Sequence, residues 1–326
     1  MKKALKLGQV ILTTEAPVGN VAQIKEKKHY ILSQRVIAFE TDKNLLDDFL
    51  YFLLQRNNST LLRYSTGGTA KGISQKSLKQ VKINLTPNIS EQKQISQLLN
   101  VVKNLITLYD RKLKLLSQMK KYFLDNLFTE KEYPNLRLKG FTDAWEQRKL
   151  NDIAKVYDGI HETPNYTTYG IPFASVENIR TLATKKYVSK NFYEEKFKIK
   201  PQYNDILMTR IGDIGTSNVV SKVPLAYYVS LALIRLNADQ NAHFFKYYFD
   251  SEYAQKELWS RTLHIAFPKK INKNEIGKIN VYTTSIKEEN KISQLFNKLN
   301  YLLTLYENKQ QHLNEIKKTL LNTMFI

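Results

Sequence analysis

The stretch ISQLLN at residues 95–100 returns as ISQLFN at residues 292–297, which lie 197 positions further along the chain. At the same displacement and without a gap, the similarity continues as far as Phe128 and Phe325. Agreement over such a length is very improbable by chance, so the sequence contains an internal repeat. Each copy is predicted to be a globular part followed by a long helix.

The two copies differ in length. The second begins near Trp145, and its counterpart in the first copy would precede residue 1, so the first copy is expected to lack about its first 53 residues. We expect its sheet to be incomplete, with an unpaired strand edge near residues 9–13 and exposed apolar surface. The predicted organisation is a truncated globular part at 1–86, a helix at 87–130, a linker at 131–144, a complete globular part at 145–284 and a second helix at 285–326.

Both long helices are indicated by the absence of helix breakers and by apolar periodicity. Neither glycine nor proline occurs between Pro87 and Pro134 or after Gly277. Apolar and aromatic residues recur at spacings of three and four, a pattern typical of coiled coils. Burial of each helix on its own globular part is the alternative, but two matching stripes of equal length favour antiparallel pairing. The predicted pairing seam consists of Ile95, Leu98, Val102, Leu105, Tyr109, Leu116, Ile292, Leu295, Leu299, Leu302, Tyr306 and Leu313.

The globular parts combine signals for strands and for helices. Short apolar runs predict buried strands, and aromatic residues at helical spacing predict helices. The predicted strands lie at 9–13, 31–39, 205–210 and 227–236, and the predicted helices lie at 47–55 and 244–258. The predicted fold class is α+β, with two mixed domains separated by two long helices that form an antiparallel coiled coil.

The composition favours a polyanionic partner. The chain has 50 Lys and Arg against 30 Asp and Glu, and its formal net charge of +20 is spread over several segments. This distribution favours a broad contact with nucleic acid over a basic tail, with a merely solvated basic surface as the alternative. The absence of cysteine excludes disulfide scaffolds, cysteine-ligated metals and thiol catalysis, and it fits a cytoplasmic protein. No apolar run predicts a membrane span, and the first residues lack the features of a signal peptide.

Motifs for catalysis are missing from the sequence. It contains no phosphate-binding glycine loop, no zinc-protease motif, no nucleophile elbow and no dinucleotide fingerprint, and its five histidines have no metal-ligand spacing. Paired carboxylates such as Glu288 and Glu289 lie in charged stretches, which predicts a solvated surface. Neither a metal site nor an enzymatic activity is expected.

Several short sequence motifs, which occur in the same order in both copies, resemble motifs of the specificity subunit of type I restriction–modification systems. These motifs lie at residues 8–12, 66–74 and 89–95 in the first copy and at 145–153, 163–173 and 204–215 in the second. The sequence departs from the family pattern at Asn204, where glycine is usual, and at Gln9, which replaces an acidic residue. A further departure is the first recognition domain, which begins at its mid-strand equivalent.

The resemblance implies two target recognition domains, the first truncated at its N-terminus, in a subunit with no catalytic activity of its own. Such a subunit directs a type I complex to a bipartite site in double-stranded DNA. It binds methyltransferase subunits and a restriction endonuclease subunit, and a complementing specificity fragment is a further expected partner. The resemblance assigns S-adenosylmethionine to the methyltransferase and ATP with magnesium to the endonuclease, so no cofactor is expected in this chain. The alternative is a silent allele that acts only as a coiled-coil assembly protein.

Candidate DNA-facing residues lie in the loops of the two recognition domains. Lysine and arginine neutralise phosphates, whereas Arg, Asn, Ser and Thr side chains read base edges. The candidates in the second domain are Thr163, Asn165, Tyr166, Arg210, Thr216, Ser217, Arg261, His264, Lys269, Lys270 and Lys273, and those in the first domain are Thr66, Gly67, Lys71 and Lys76. The ring of Tyr166 can stack on a base, with packing in the core as the alternative.

Overall fold

The computed structural model describes residues 5–26, 30–67 and 71–325. The chain divides into two compact units: unit 1 comprises residues 1–114 and 304–326, and unit 2 comprises residues 115–303. Each unit contains one globular part and portions of two helices that are 39 residues long. Within the described ranges, no helix is both long and apolar enough to cross a membrane.

Unit 1 is built on a three-stranded antiparallel sheet. Its strands are β1 (Val10–Thr13), β2 (Val21–Gln23) and β3 (Val36–Ala38). Leu12 of the central strand β1 pairs with Val21 on one side and with Ile37 on the other. The expectation of an unpaired edge near residues 9–13 is therefore wrong. The chain reverses after β1 and returns as β2, while β3 takes the opposite edge, so that β1 is hydrogen-bonded on both sides.

Helices cover the sheet of unit 1. They are α1 (Asp47–Arg56), α2 (Asn58–Arg63) and α3 (Gln75–Leu78). Leu50 and Leu54 of α1 share a buried cluster with Leu12 of β1, because an amphipathic helix turns its apolar face toward the sheet. The strand predicted at 31–39 is confined to β3. Ile31 is 91% exposed, so the apolar run that precedes β3 does not join the sheet.

The helix α4 (Ile89–Leu127) leads from unit 1 into unit 2. The described residues of unit 2 form three sheets with strand orders β5-β11-β8-β9, β10-β6-β7 and β12-β4. The strands are β4 (Glu146–Lys149), β5 (Ala154–Asp158), β6 (Ile171–Ala174), β7 (Tyr187–Val188), β8 (Ile206–Ile211), β9 (Asp213–Val219), β10 (Ala226–Tyr227), β11 (Leu231–Leu236) and β12 (Asn280–Thr283). The helices are α5 (Leu150–Ile153), α6 (Lys190–Lys196), α7 (Ala242–Phe249), α8 (Glu252–Ser260), α9 (Lys273–Gly277) and α10 (Ile286–Met324).

Aromatic side chains fill the core of unit 2. Phe128, directly after α4, stacks on Phe296 of α10 with 5.7 Å between the ring centroids. The same ring contacts Trp145, Phe244 and Tyr248. Such ring pairs add specific geometry to the burial of apolar area, so the end of α4 is held firmly in this core.

Two elements predicted as continuous are divided in the structure. The predicted helix at 244–258 is α7 followed by α8, because Ser251 caps a new helix by accepting a hydrogen bond from the Ala254 N–H (3.3 Å). The predicted strand at 227–236 is β10 followed by β11, with a turn at 228–230 between them.

The two long helices run antiparallel within unit 1. The rings of Tyr109 and Tyr306 lie 5.5 Å apart, and Ile95 near the beginning of α4 shares a buried cluster with Leu320 and Phe325 at the end of α10. Residue numbers therefore rise along one helix as they fall along the other, as predicted for a coiled coil.

Two of the twelve predicted seam positions, Leu98 and Leu105, lie on the exposed side of α4. Leu98 and Leu105 are 42% and 38% exposed, whereas Leu99 is fully buried. The reason is α1, because its Phe49 and Phe52 pack in the same cluster as Leu99 and draw that side of α4 inward. The other predicted seam positions are buried or half-buried: Ile95, Val102, Tyr109, Leu116, Ile292, Leu295, Leu299, Leu302, Tyr306 and Leu313.

Glu288 and Glu289, predicted to lie on a solvated surface, are buried in the first turn of α10. Arg137 donates two hydrogen bonds to the Glu288 carboxylate, from Nη2 to Oε2 (2.6 Å) and from Nε to Oε1 (3.1 Å), and the indole N–H of Trp145 donates a third (3.1 Å). An ionised carboxylate needs such pairing and hydrogen bonding to offset the hydration that it loses on burial. The prediction was wrong because Arg137 lies 151 residues away along the chain.

Candidate nucleic-acid interface

The predicted DNA-facing segments of unit 2 meet at one end of the four-stranded sheet. β5 and β8 are both antiparallel to β11, so they are parallel to each other and their C-terminal ends lie at the same side. The loop with Thr163 follows β5, and the turn after Arg210 follows β8. A single sheet end therefore positions both segments.

Asp158, the last residue of β5, links these segments to the third one. Its carboxylate accepts a hydrogen bond from Arg210 Nη1 and lies 3.5 Å from Lys273 Nζ. Arg210 Nε also donates to the backbone carbonyl of Ile271 (3.1 Å). No sequence pattern indicated Asp158, because its partners lie more than 50 residues away along the chain.

Arg210 itself does not face the solvent. Its side chain is 9% exposed, and its donors are directed at Asp158 and at the 271 carbonyl. The guanidinium of Arg210, a predicted DNA contact, instead ties the strand end to the following segment. The hydroxyl of Tyr227 also holds the end of β5, because it donates a hydrogen bond to the backbone carbonyl oxygen of Asp158 (3.0 Å). Burial raises the pKa of Tyr227, so this hydroxyl stays protonated.

Residues 263–270 form a hairpin attached to the end of β8. Its stem is closed by a hydrogen bond from the Leu263 N–H to the Lys270 carbonyl (2.8 Å). Two further backbone hydrogen bonds join it to β8 and its turn, from Gly212 to Lys269 (2.8 Å) and from Ile271 to Arg210 (2.9 Å). We call this element the 263–270 hairpin.

The basic residues of this segment differ in their availability. Lys270 is exposed, and exposed Lys269 places Nζ 4.5 Å from the ring centroid of Trp259, a cation–π contact. The His264 ring lies 4.5 Å from the Trp259 ring, with the two ring planes tilted by 60°. Arg261 is half-buried and lies within 4 Å of two carboxylates, so its charge is largely balanced. Lys269 and Lys270 are therefore the lysines best placed to meet phosphate.

The other candidates of unit 2 are divided between surface and interior. Thr163, Asn165 and Tyr166 are exposed, and the Tyr166 ring lies edge-on to buried Phe173 (5.5 Å). Ser217, also a predicted DNA contact, is buried within β9, and its hydroxyl finds no hydrogen-bond partner among the described residues.

Thr216, the neighbour of Ser217 on β9, is half-buried, and its N–H donates to the hydroxyl of Thr209 (3.0 Å). Thr216 and Ser217 were predicted to lie in a turn, but both belong to strand β9, which runs from Asp213 to Val219. Neighbouring side chains on a strand point to opposite faces, so one of the two is buried and the other is half-buried.

Unit 1 contains an equivalent hairpin. The backbones of Thr66 and Gly72 exchange two hydrogen bonds (2.8 Å each), and the Ile73 N–H donates to the Thr14 carbonyl just after β1 (2.9 Å). This last bond corresponds to the one between Ile271 and Arg210 in unit 2. Gly68, Thr69 and Ala70 of the predicted loop lie outside the described residues. The predicted candidates Thr66, Gly67, Lys71 and Lys76 are all exposed.

Metal chemistry finds no support at this end of the sheet. Among the residues that the structure describes, no group of three or more His, Asp or Glu side chains is placed to hold a metal ion. What the site offers is a rigid backbone hairpin, exposed lysines and exposed hydroxyl, amide and aromatic side chains. These are groups that bind phosphates and base edges.

The chain is similar in sequence to known proteins. Residues 2–118 match the family described as type I restriction modification DNA specificity domain. Two proteins of Methanocaldococcus jannaschii are similar over most of the chain. The putative type I restriction enzyme MjaX specificity subunit is 23% identical over 99% of this chain and 79% of its own length, and the MjaVIII specificity subunit is 21% identical over 94% and 76%.

Solved structures share the fold. The S subunit of a type I restriction–modification system from M. genitalium has a TM-score of 0.71 at 16% identity, covering 100% of this chain and 85% of that one. The HsdS subunit from Thermoanaerobacter tengcongensis has a TM-score of 0.51 at 16% identity, covering 99% and 82%. Over almost its whole length, the chain is therefore similar to type I restriction–modification specificity subunits.

Proposed function

We propose that this chain is the DNA-recognition subunit of a type I restriction–modification complex and directs that complex to a bipartite site in duplex DNA. The observation that carries the proposal is the hairpin that each unit attaches to the end of its central strand, in unit 1 through the Ile73–Thr14 bond and in unit 2 through the Ile271–Arg210 bond. Each hairpin would contact one half of the site.

The chemistry of the complex would belong to its other subunits. The chain would bind methyltransferase subunits, which use S-adenosylmethionine, and a restriction endonuclease subunit, which uses ATP and magnesium. It would itself be a non-catalytic cytoplasmic protein. Support comes from the exposed lysines of the hairpins and from the net charge of +20, which suit a polyanion.

The test is the salt dependence of duplex binding by the full chain. Replacing Lys269 and Lys270 together by alanine removes two cations that face solvent at the hairpin. Each phosphate contact contributes about 0.9 to the slope of log K against log salt, so the slope should become less negative by up to about 1.8.

A matched control is available at the opposite end of the same sheet. Lys155, at the beginning of β5, and Lys222, just after β9, are both exposed. Alanine at both positions removes the same charge but should leave the slope unchanged. Equal slopes for the two double variants would contradict the placement of DNA at the hairpin.

The assembly can be tested in cells. Coexpression with a methyltransferase subunit from the same genome, followed by sequencing of methylated DNA, should show a modified motif with two specified segments separated by an unspecified spacer. A methylation pattern that does not change when this chain is omitted would contradict the proposed function.

A further inference from the structure

The tip of the 263–270 hairpin carries two large apolar side chains in open solvent. Ile265 is 100% exposed and Phe267 is 104% exposed. No other large apolar side chain among the described residues is as exposed as these two. Exposure of this degree is unusual for large apolar residues and indicates a surface that is covered when the protein acts.

The exposed tip stands on a fixed stem. Beneath it, the Leu263–Lys270 backbone bond closes the hairpin, and the Lys269 carbonyl accepts from the Gly212 N–H. Packing of His264 and Lys269 on the Trp259 ring holds both arms from the side. Ile265 and Phe267 therefore project from a hairpin whose stem is held by hydrogen bonds and ring contacts.

The charge around the tip selects the kind of partner. Lys269 and Lys270 on the stem are exposed, and residues 263–270 contain no aspartate or glutamate, whereas Arg261 and Lys273 outside the hairpin are paired with carboxylates. Apolar side chains bracketed by cations complement a surface that combines negative charge with flat apolar faces. Duplex DNA has both, in its phosphates and in its stacked bases.

We propose that Phe267, supported by Ile265, enters duplex DNA as an apolar wedge between two adjacent base pairs; this inference rests on the proposed function and adds the mode of contact. Apolar side chains meet DNA either flat against thymine methyl groups or inserted at a base step. Because Phe267 is fully exposed, both faces of its ring are free, which insertion between base pairs requires.

The equivalent hairpin of unit 1 lacks such a wedge. Its sequence from 67 to 71 is Gly-Gly-Thr-Ala-Lys, with no large apolar side chain. The wedge should therefore open a base step in only one half of the bipartite site, the half that unit 2 contacts.

The experiment uses the full chain and a duplex that it selects from a random-sequence pool. The adenine analogue 2-aminopurine, whose fluorescence rises when it unstacks, is placed at successive positions of the duplex. The wild-type chain should raise the fluorescence at one step in one half-site, and Phe267→Ala should abolish this rise. Phe267→Ala should also weaken binding by about 5- to 150-fold, as expected for the loss of one aromatic–base stack.

Two control variants separate the wedge from other effects. Phe267→Trp keeps a large flat ring and should retain both the affinity and the fluorescence change. Tyr203→Ala removes an aromatic ring that is 66% exposed before β8, at the other end of the sheet, and should change neither quantity. Because Phe267 carries no charge, Phe267→Ala should lower the affinity without changing the salt slope.

The outcomes distinguish this inference from the proposed function. Binding and fluorescence that are the same in Phe267→Ala as in the wild type would overturn the wedge while the proposed function stands. A weakened Phe267→Ala variant with no fluorescence rise in the wild type would place the ring against the groove and would also overturn the wedge. Failure of the wild-type chain to bind any duplex would refute the proposed function and the wedge together.

Discussion

Glu289 gives a prediction in which the direction and the size follow from the structure. This carboxyl group is fully buried in the first turn of α10. It accepts hydrogen bonds from the Asn241 N–H (2.7 Å) and from the hydroxyl of Thr283 (2.9 Å). Burial raises the pKa of Glu289 to about 7, although these hydrogen bonds act in the opposite direction. The nearby charge of Asp239 raises it slightly further.

The raised pKa makes the stability of unit 2 depend on pH. Between the ordinary value of 4.5 and about 7, the folded state keeps a proton on Glu289 that the unfolded state has released. The free energy of unfolding therefore contains a contribution that is fully present below pH 4.5 and is lost as the pH rises through 7. A difference of about 2.5 pKa units corresponds to about 3 kcal/mol.

The perturbation is Glu289→Gln, which keeps an oxygen acceptor for Asn241 but cannot ionise. We expect the stability of the variant relative to the wild type to increase by about 3 kcal/mol between pH 4.5 and pH 8. His243, whose pKa burial lowers, is common to both proteins. The comparison of the two proteins therefore isolates Glu289.

Tryptophan fluorescence during urea unfolding is a suitable assay. The chain has two tryptophans, Trp145 and Trp259, and both lie in unit 2 together with Glu289. Their fluorescence therefore reports the unfolding of the unit that contains the mutation. A constant difference in the free energy of unfolding between the two proteins from pH 4.5 to pH 8 would refute the reasoning.

Three further predictions, made with four substitutions, test the packing. Leu99→Asp would bury a charge and should destabilise unit 1 by more than about 3 kcal/mol. Leu98→Asp, on the exposed side of the same helix, should lower the stability by less than about 1 kcal/mol. Calorimetry of the two variants measures the difference. Arg137→Ala would leave the buried Glu288 carboxylate without its ion pair, so the free energy of unfolding should fall by about 3–5 kcal/mol. Tryptophan fluorescence during urea unfolding measures this change, and a variant as stable as the wild type would contradict it. Gly159→Ala would place a Cβ against the Tyr228 carbonyl, so the free energy of unfolding should fall by about 1–3 kcal/mol in the same assay. An unchanged unfolding midpoint would contradict this prediction.

The parts of the fold that depend on local sequence could be predicted. The long helices were expected at 87–130 and 285–326, and they run from Ile89 to Leu127 and from Ile286 to Met324. Absence of glycine and proline and a regular apolar stripe are properties of neighbouring residues, so the sequence contains them directly. The exact face of pairing is different, because the side of α4 that is buried depends on α1, a separate element.

The placement of charged side chains could not be predicted. Arg210 has the chemistry of a base-reading residue, and only the fold brings it to Asp158. Glu288 and Glu289 have the appearance of surface residues in the sequence, and only the fold supplies the buried donors that retain them. In each case the deciding partner lies far away along the chain, where neither spacing nor composition gives a signal.

The two hairpins show how one scaffold can support different contacts. The bonds that attach them, from Ile73 to Thr14 and from Ile271 to Arg210, join backbone groups and have the same length of 2.9 Å. Backbone hydrogen bonds do not depend on which side chains the tip carries. The same backbone attachment can therefore serve a glycine-rich sequence after Thr66 in unit 1 and an apolar tip with Phe267 in unit 2. Changes at the tip should alter which DNA is bound while the supporting sheet remains unchanged.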